Sequence, residues 1–224
     1  MAAFTKPKLL YISAHEAQNR IRNVFCVGRN YVNHAAELGN AVPEQPMIFT
    51  KPTHALIPCE NKISLSQGRN NIHHELEIVL FLHRDYDQRI SLSQLIGGVA
   101  LGLDLTDRDL QNQLKAKGHP WELAKGFRNS AVITDFYQVE DWDDLVQTPF
   151  SLLKNGVEVQ RGQACDMIFD FARLLNFIGE HFGLKSGDAV YTGTPAGVGA
   201  IGPEDVLDLK FNDETWGTAR FTEN

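Results

Sequence analysis

Apolar residues along this chain come in short runs, most of them too short to be helices. β-Branched and aromatic residues cluster at 23–27, 47–50, 78–82, 99–105, 130–134, 150–154, 189–192, 206–211 and 216–221, with turn residues between them. Runs of this kind predict strands. Asn155-Gly156, between 150–154 and 157–160, predicts a hairpin, because a type I′ turn needs positive φ at two successive residues. Helical spacing is confined to 30–38, 107–117 and 169–182. In the last of these Phe169, Ala172, Leu174 or Leu175, and Ile178 make one apolar stripe, and Gly183 ends it. Many strands with three widely spaced helices predict a mixed, β-rich α+β fold, a β roll or sandwich. The regular strand-helix alternation of a doubly wound sheet is missing. No repeat, low-complexity tract or long linker divides the chain, so 1–224 reads as a single domain with 1–20 as an N-terminal extension.

Composition narrows the function. The 224 residues are 43% hydrophobic, enough for one sizeable core. Basic residues number 21 against 28 acidic, and a net charge of −7 leaves no basic footprint for nucleic acid. Residues 1–13 contain Lys6, Pro7 and Lys8 and no sustained apolar segment, so neither a secretory signal nor a membrane span is expected there, and a cytoplasmic location follows. Cys26, Cys59 and Cys165 are scattered without a C-x-x-C pair, which argues against a disulfide framework or a thiolate zinc site.

The candidate chemistry starts at His73-His74-Glu75-Leu76-Glu77-Ile78. Period two puts Glu75 and Glu77 on one strand face, where two like charges are tolerated only if a cation, Arg or Lys neutralises them. Asp104, ending the apolar run 99–105, is a natural third oxygen donor. Such a trio suits Mg²⁺, Mn²⁺ or Ca²⁺. Spacing alone also allows a solvated strand edge with Asp104 as a cap. His73 shares the face of the two glutamates and reads as a supporting or core histidine. His34 and Glu37, three apart in a predicted helix, are neighbours on one face; they are either a base with its orienting carboxylate or a surface pair. Arg108 and Gln111 stand at i and i+3 of the 107–117 helix and could face one substrate end, or Arg108 could pair back to Asp104. Asp107 and Asp109 favour the positive end of that helix. Lys125 is a lone cation in a modestly apolar stretch, suited to an oxyanion if it lies near the site and otherwise solvated. The glycine-rich loop 193–199 offers backbone N–H groups and the Thr194 hydroxyl to a carboxylate, and lacks the order of a nucleotide-binding fingerprint.

Taken together, His73-His74-Glu75-Leu76-Glu77, Leu103-Asp104-Leu105-Thr106-Asp107-Arg108-Asp109 and Lys125-Gly126-Phe127 resemble the core signature of the fumarylacetoacetate hydrolase family. Val27-Gly28-Arg29-Asn30-Tyr31 with His34, Thr50-Lys51-Pro52, and Tyr191-Thr192-Gly193-Thr194-Pro195-Ala196-Gly197-Val198-Gly199 match in the same order. The compact length and the set Asn30-Tyr31, His34 and Glu37 look most like its acylpyruvate hydrolase and oxaloacetate decarboxylase branch. The resemblance implies the family's β-sandwich roll, commonly a homodimer, and a Mg²⁺ (or Mn²⁺) held by Glu75, Glu77 and Asp104. It implies His34, Glu37 and Lys125 as catalytic groups, with 30–40 as a lid, and Arg29, Lys51, Arg108, Gln111 and Thr194 as contacts to a small 2-keto acid. The expected function is hydrolysis of the carbon-carbon bond of acylpyruvates of the acetylpyruvate or fumarylpyruvate type through a metal-bound pyruvate enolate. Oxaloacetate decarboxylation or keto-enol tautomerisation through the same enolate is the alternative. A non-catalytic divalent-cation module is the remote one, and it would have no use for His34 or Lys125.

Overall fold

The computed structural model describes residues 9–37, 42–60, 62–65, 68–69 and 71–222. Its centre is two long strands, Leu76–Leu82 and Ile96–Asp104, antiparallel to each other and buried along their whole length. They belong to a nine-stranded mixed sheet. Its path runs Leu10–Ile12, Phe136–Tyr137, Ile96–Asp104, Leu76–Leu82, Asp188–Tyr191, Asn23–Gly28, Met47–Lys51, with Ala131–Ile133 and Leu56–Pro58 branching from Ile96–Asp104. A five-stranded sheet carries the predicted hairpin, in which Asn155 and Gly156 have φ of 52° and 80°. A small three-stranded sheet joins Gly199–Ala200, Ile72–His74 and Thr106–Asp107. The architecture is the expected sheet-rich α+β fold.

Strand alternation sorts the core into two layers. Ile78, Leu80, Leu82, Val99, Leu101 and Leu103 face the helix Phe171–Phe182 and the five-stranded sheet. Val79, Phe81 and Ala100 face the other way with Val24, Cys26, Phe136 and Tyr191, over the helix Ala14–Arg20. Glu75, Glu77 and Asp104 continue this second layer toward its end, because odd positions of one strand and even positions of its neighbour point to the same side. Register makes room for them: Glu77 lies opposite Gly102. A Cβ at Gly102 would sit 2.7 Å from both the Val132 carbonyl and the Tyr191 ring.

The predicted helices appear as Val32–Glu37, Arg108–Ala116 and Phe171–Phe182, the last capped by Asp170 and ended by Gly183 at φ 77°. Its buried stripe is Phe171, Leu174, Leu175 and Ile178. Phe169 is buried but precedes the helix, and Ala172 is exposed, so the expected stripe shifts. Among the described residues four further α-helical segments occur, at Ala14–Arg20, Leu92–Leu95, Glu122–Lys125 and Trp142–Gln147. Two are single turns, too short to carry a period. Of the expected N-terminal extension, 1–8 lie outside the described residues, and the rest forms the edge strand Leu10–Ile12 and a core-packed helix. Residues 38–40 of the expected lid, Gly39 among them, also lie outside the described residues.

Candidate active site

The site is built where two strands are interrupted. The chain breaks between Ile72–His74 and Leu76–Leu82, leaving Glu75 at the break. Gln160 fills the gap in the ladder: its Oε1 accepts from Leu76 N–H at 3.0 Å and from His74 Nδ1 at 2.9 Å. Its amide donates to Thr194 Oγ1 at 2.8 Å and to the Pro195 carbonyl at 3.0 Å, tying the 193–199 loop to the break. Asp104 returns its N–H to the Glu75 carbonyl at 2.9 Å. One carboxylate oxygen from each of Glu75, Glu77 and Asp104 thereby comes within 4.8 Å of the others, and all three residues are buried.

Three cations meet two of these three carboxylates, Glu75 and Asp104. Lys125, on the turn Glu122–Lys125, gives Nζ to Glu75 Oε2 and to Asp104 Oδ2, each at 2.7 Å. Its ring neighbour is Phe49, 4.8 Å from Nζ. Lys51 lies 2.8 Å from Asp104 Oδ1 and donates to the Leu105 carbonyl and Ser130 Oγ, both at 3.1 Å, and to the Lys125 carbonyl. Arg108 gives Nη2 to Glu75 Oε1 at 2.5 Å and Nη1 to Gln111 Oε1 at 2.7 Å. Its partner is therefore Glu75, not the Asp104 that i−4 spacing suggested, because the strand break brings Glu75 over the helix N-terminus. Asp107 caps that helix by accepting from Leu110 N–H and pairs with Arg69.

Protonation follows from this pairing. Burial acts to raise the Glu75 carboxyl, but Lys125 and Arg108 outweigh it and hold the group well below the usual carboxylate range. Lys125 is held above the ordinary lysine value: burial opposes its charge, and Asp104 and Glu75 more than restore it. Glu77 differs. Its Oε2 accepts from Gly193 N–H at 2.7 Å, and among the described residues no cation stands at ion-pair distance. Burial first and Asp104 second push its carboxyl well above the normal value. A buried carboxylate without a cationic partner, converging with two others into a hard oxygen donor set, fits a divalent cation.

The carboxylates floor a small cavity of about 30 Å³, lined also by Arg29, His34, Arg108, Gln111, Lys125 and Thr194. Every residue expected at the site is thus present except two that stand behind or beside it. Lys51 lies beneath Asp104, and Glu37 stands behind His34. The imidazole Nδ1 is 3.4 Å from Glu37 Oε2, and Glu37 in turn accepts from Gly197 N–H at 3.2 Å through both oxygens. Burial, outweighing Glu75 and Glu37, keeps His34 below the ordinary imidazole value. The loop amides of Gly193 and Gly197 therefore receive the protein's own carboxylates, Glu77 and Glu37. His73 pairs with Asn71 at 2.9 Å, away from the cavity. Sequence reasoning missed Gln160, and it named Asn30 only within the matching motif, with no structural role. Fully buried Asn30 links the Thr192 and Phe169 carbonyls and the Phe169 N–H. Gln160 carries no local signal beyond a polar residue at an inward position.

A sheet roll holding three convergent carboxylates, a buried lysine and a histidine-carboxylate pair around one cavity makes a candidate enzyme site whose oxygen donors suit a divalent cation. The family comparison agrees: residues 23–222 match the fumarylacetoacetate (FAA) hydrolase C-terminal model, and the chain belongs to this family. It is 36% identical over 201 residues to oxaloacetate tautomerase YcgM of Escherichia coli, covering 88% of this chain and 92% of that protein. It is 39% identical over 200 residues to the mitochondrial oxaloacetate tautomerase fahd-1 of Caenorhabditis elegans, covering 88% and 93%. Among solved structures it is similar to fumarylpyruvate hydrolase from Pseudomonas aeruginosa in complex with Mn²⁺ and pyruvate, with a TM-score of 0.83, 32% identity and 91% of each chain covered.

Proposed function

We propose that this protein catalyses keto-enol exchange of oxaloacetate, with Mg²⁺ or Mn²⁺ held by Glu75, Glu77 and Asp104. The observation that carries the reading is that a histidine held neutral, His34, and a lysine held charged, Lys125, line one small cavity. The bound cation would supply a Lewis acid for the carboxylate and 2-keto oxygens of the substrate. The remaining work falls to the chain. His34, oriented at Nδ1 by Glu37, presents Nε2 as the base that removes a proton from C3. Lys125, kept protonated by Glu75 and Asp104, uses two N–H groups on those carboxylates and has a third for the 2-oxygen as it gains charge. As the C2–C3 bond becomes double, the proton His34 took from C3 is delivered to the 2-oxygen, leaving His34 neutral again, and the reverse path restores the ketone. No attacking water is required. Charge also favours a dianion: the site holds three carboxylates and three cations, so a divalent ion leaves two positive charges. Similarity to two oxaloacetate tautomerases supports this reaction ahead of the hydrolysis expected from sequence.

A second reading, hydrolysis of fumarylpyruvate, is favoured by the similarity to a fumarylpyruvate hydrolase. It is also favoured by an apolar cavity of about 410 Å³ that shares Met47, Phe49 and Trp121 with the site. Following enol absorbance, carbon dioxide release and fumarylpyruvate cleavage on one Mg²⁺-loaded sample separates the two. Fast enol-keto exchange that falls about 100-fold or more in His34→Ala supports tautomerisation. Carbon dioxide release at the same rate as oxaloacetate loss indicates decarboxylation instead, and cleavage of fumarylpyruvate without enol-keto acceleration overturns the proposal in favour of hydrolysis.

A further inference from the structure

The cavity has a second electropositive corner that this chemistry does not use. Arg108, Gln111 and Lys115 stand at i, i+3 and i+7 of the helix Arg108–Ala116, and all three line the cavity together with Arg29. The cations here are not equivalent. Arg108 is committed to Glu75 and Gln111. Arg29 and Lys115 have no acidic partner at ion-pair distance among the described residues. Lys115 is half-buried, its Nζ 6.0 Å from the centre of the Trp121 ring. Burial first, then Arg29 and Arg108, hold its ammonium below the ordinary lysine value, as expected where cations crowd one another. Arg29 also takes a left-handed backbone, φ 59°, which a non-glycine residue adopts at a cost and which concentrates at ligand-binding positions. A cluster of this sort is unfavourable until an anion enters it, and a guanidinium beside an ammonium matches a carboxylate.

We infer that Arg29 and Lys115 form the subsite for the distal carboxylate of the substrate, making the site selective for dicarboxylic 2-keto acids over those with a neutral far end. The inference rests on the reading above in one respect, that the 2-keto acid end lies over Glu75, Glu77 and Asp104. Lys115 is then a specificity-determining residue. It holds the second charge while Lys125 and His34 act on C2 and C3.

Calorimetric binding to Mg²⁺-saturated protein tests this without turnover, using 3,3-difluoro-oxaloacetate, which has no C3 proton to lose, against pyruvate, which has no second carboxylate. The wild type should prefer the difluoro dianion. Lys115→Met should lower affinity for it by about 10- to 100-fold, with a much smaller change for pyruvate. Lys115→Arg, which keeps the charge, should retain most of the preference. Equal losses for both compounds in Lys115→Met, an undiminished preference, or no binding of either compound to the wild type would each overturn the subsite. The expected binding pattern in a protein that does not accelerate oxaloacetate enol-keto exchange would keep the subsite and remove the proposed reaction.

Discussion

Lys125 stands 2.7 Å from both Glu75 and Asp104, so one ammonium keeps two buried carboxylates from facing each other unpaired. Removing one partner of a buried ion pair leaves an uncompensated charge and costs about 3–5 kcal/mol. Lys125→Met should lose stability of that order in denaturant unfolding of metal-stripped protein, and Mn²⁺ should restore part of it by taking over the neutralisation. His34 gives a pH prediction. Its pKa is depressed, so the folded state binds its proton less readily than the unfolded chain. Both its contribution to stability and its basicity are therefore complete above the ordinary imidazole value of about 6.5 and are lost as pH falls through the lower folded value. Glu37 works against the depression through its hydrogen bond and charge. Glu37→Gln should accordingly move the acid limb of the tautomerase rate profile to lower pH, and an unmoved limb would show that the carboxylate does not act on His34. Strand alternation, which is short-range, made Glu75 and Glu77 legible as a pair on one face, and the family resemblance joined Asp104 to them. Arg108 with Glu75 was not legible, since the pair is 33 residues apart and meets only through the strand break.

At the scale of elements, the long strands and the helices Val32–Glu37, Arg108–Ala116 and Phe171–Phe182 could be read from their periods. What escaped was short or interrupted. Ala14–Arg20 does carry a start signal, Ser13 three residues before Glu16, and Ser13 Oγ accepts from Glu16 N–H at 3.2 Å. The single turn Glu122–Lys125, which places Lys125 at the site, is too short to show any period, so the choice between a solvated and a buried Lys125 had no answer in its spacing. The strand break at Glu75 was likewise invisible, because Gln160, the side chain that mends it, belongs to another sheet. Gly102 is where the element and the site depend on each other. Gly102→Ala would press a methyl group against backbone and the Tyr191 ring at 2.7 Å. The expected cost is about 1–3 kcal/mol, seen as a lower denaturation midpoint, together with weaker cation binding as the strand carrying Glu77 is pushed aside.

Across the whole molecule, the two core layers explain why the site lies where it does. One layer fills with large apolar side chains between the sheet and its covering helix. The other tapers through Ala100, Cys26 and Gly102 until polar groups replace apolar ones and the carboxylates meet. The chain carries a net charge of −7, yet its cavity concentrates Arg29, Arg108, Lys115 and Lys125, a local field suited to drawing in a small dianion. Fold class and family were open to sequence reading because they rest on ordered motifs along the chain. The choice among tautomerisation, decarboxylation and hydrolysis was not, since the proposed chemistry of all three would draw on the same carboxylates, histidine and lysine. The most direct test of the account is titration of metal-stripped protein with Mn²⁺ while oxaloacetate enol-keto exchange is followed by enol absorbance. The account predicts a rate that rises with added ion, saturates at one ion per chain, and is lost in Glu77→Gln; acceleration that survives chelation unchanged, or none at saturating ion, would contradict it.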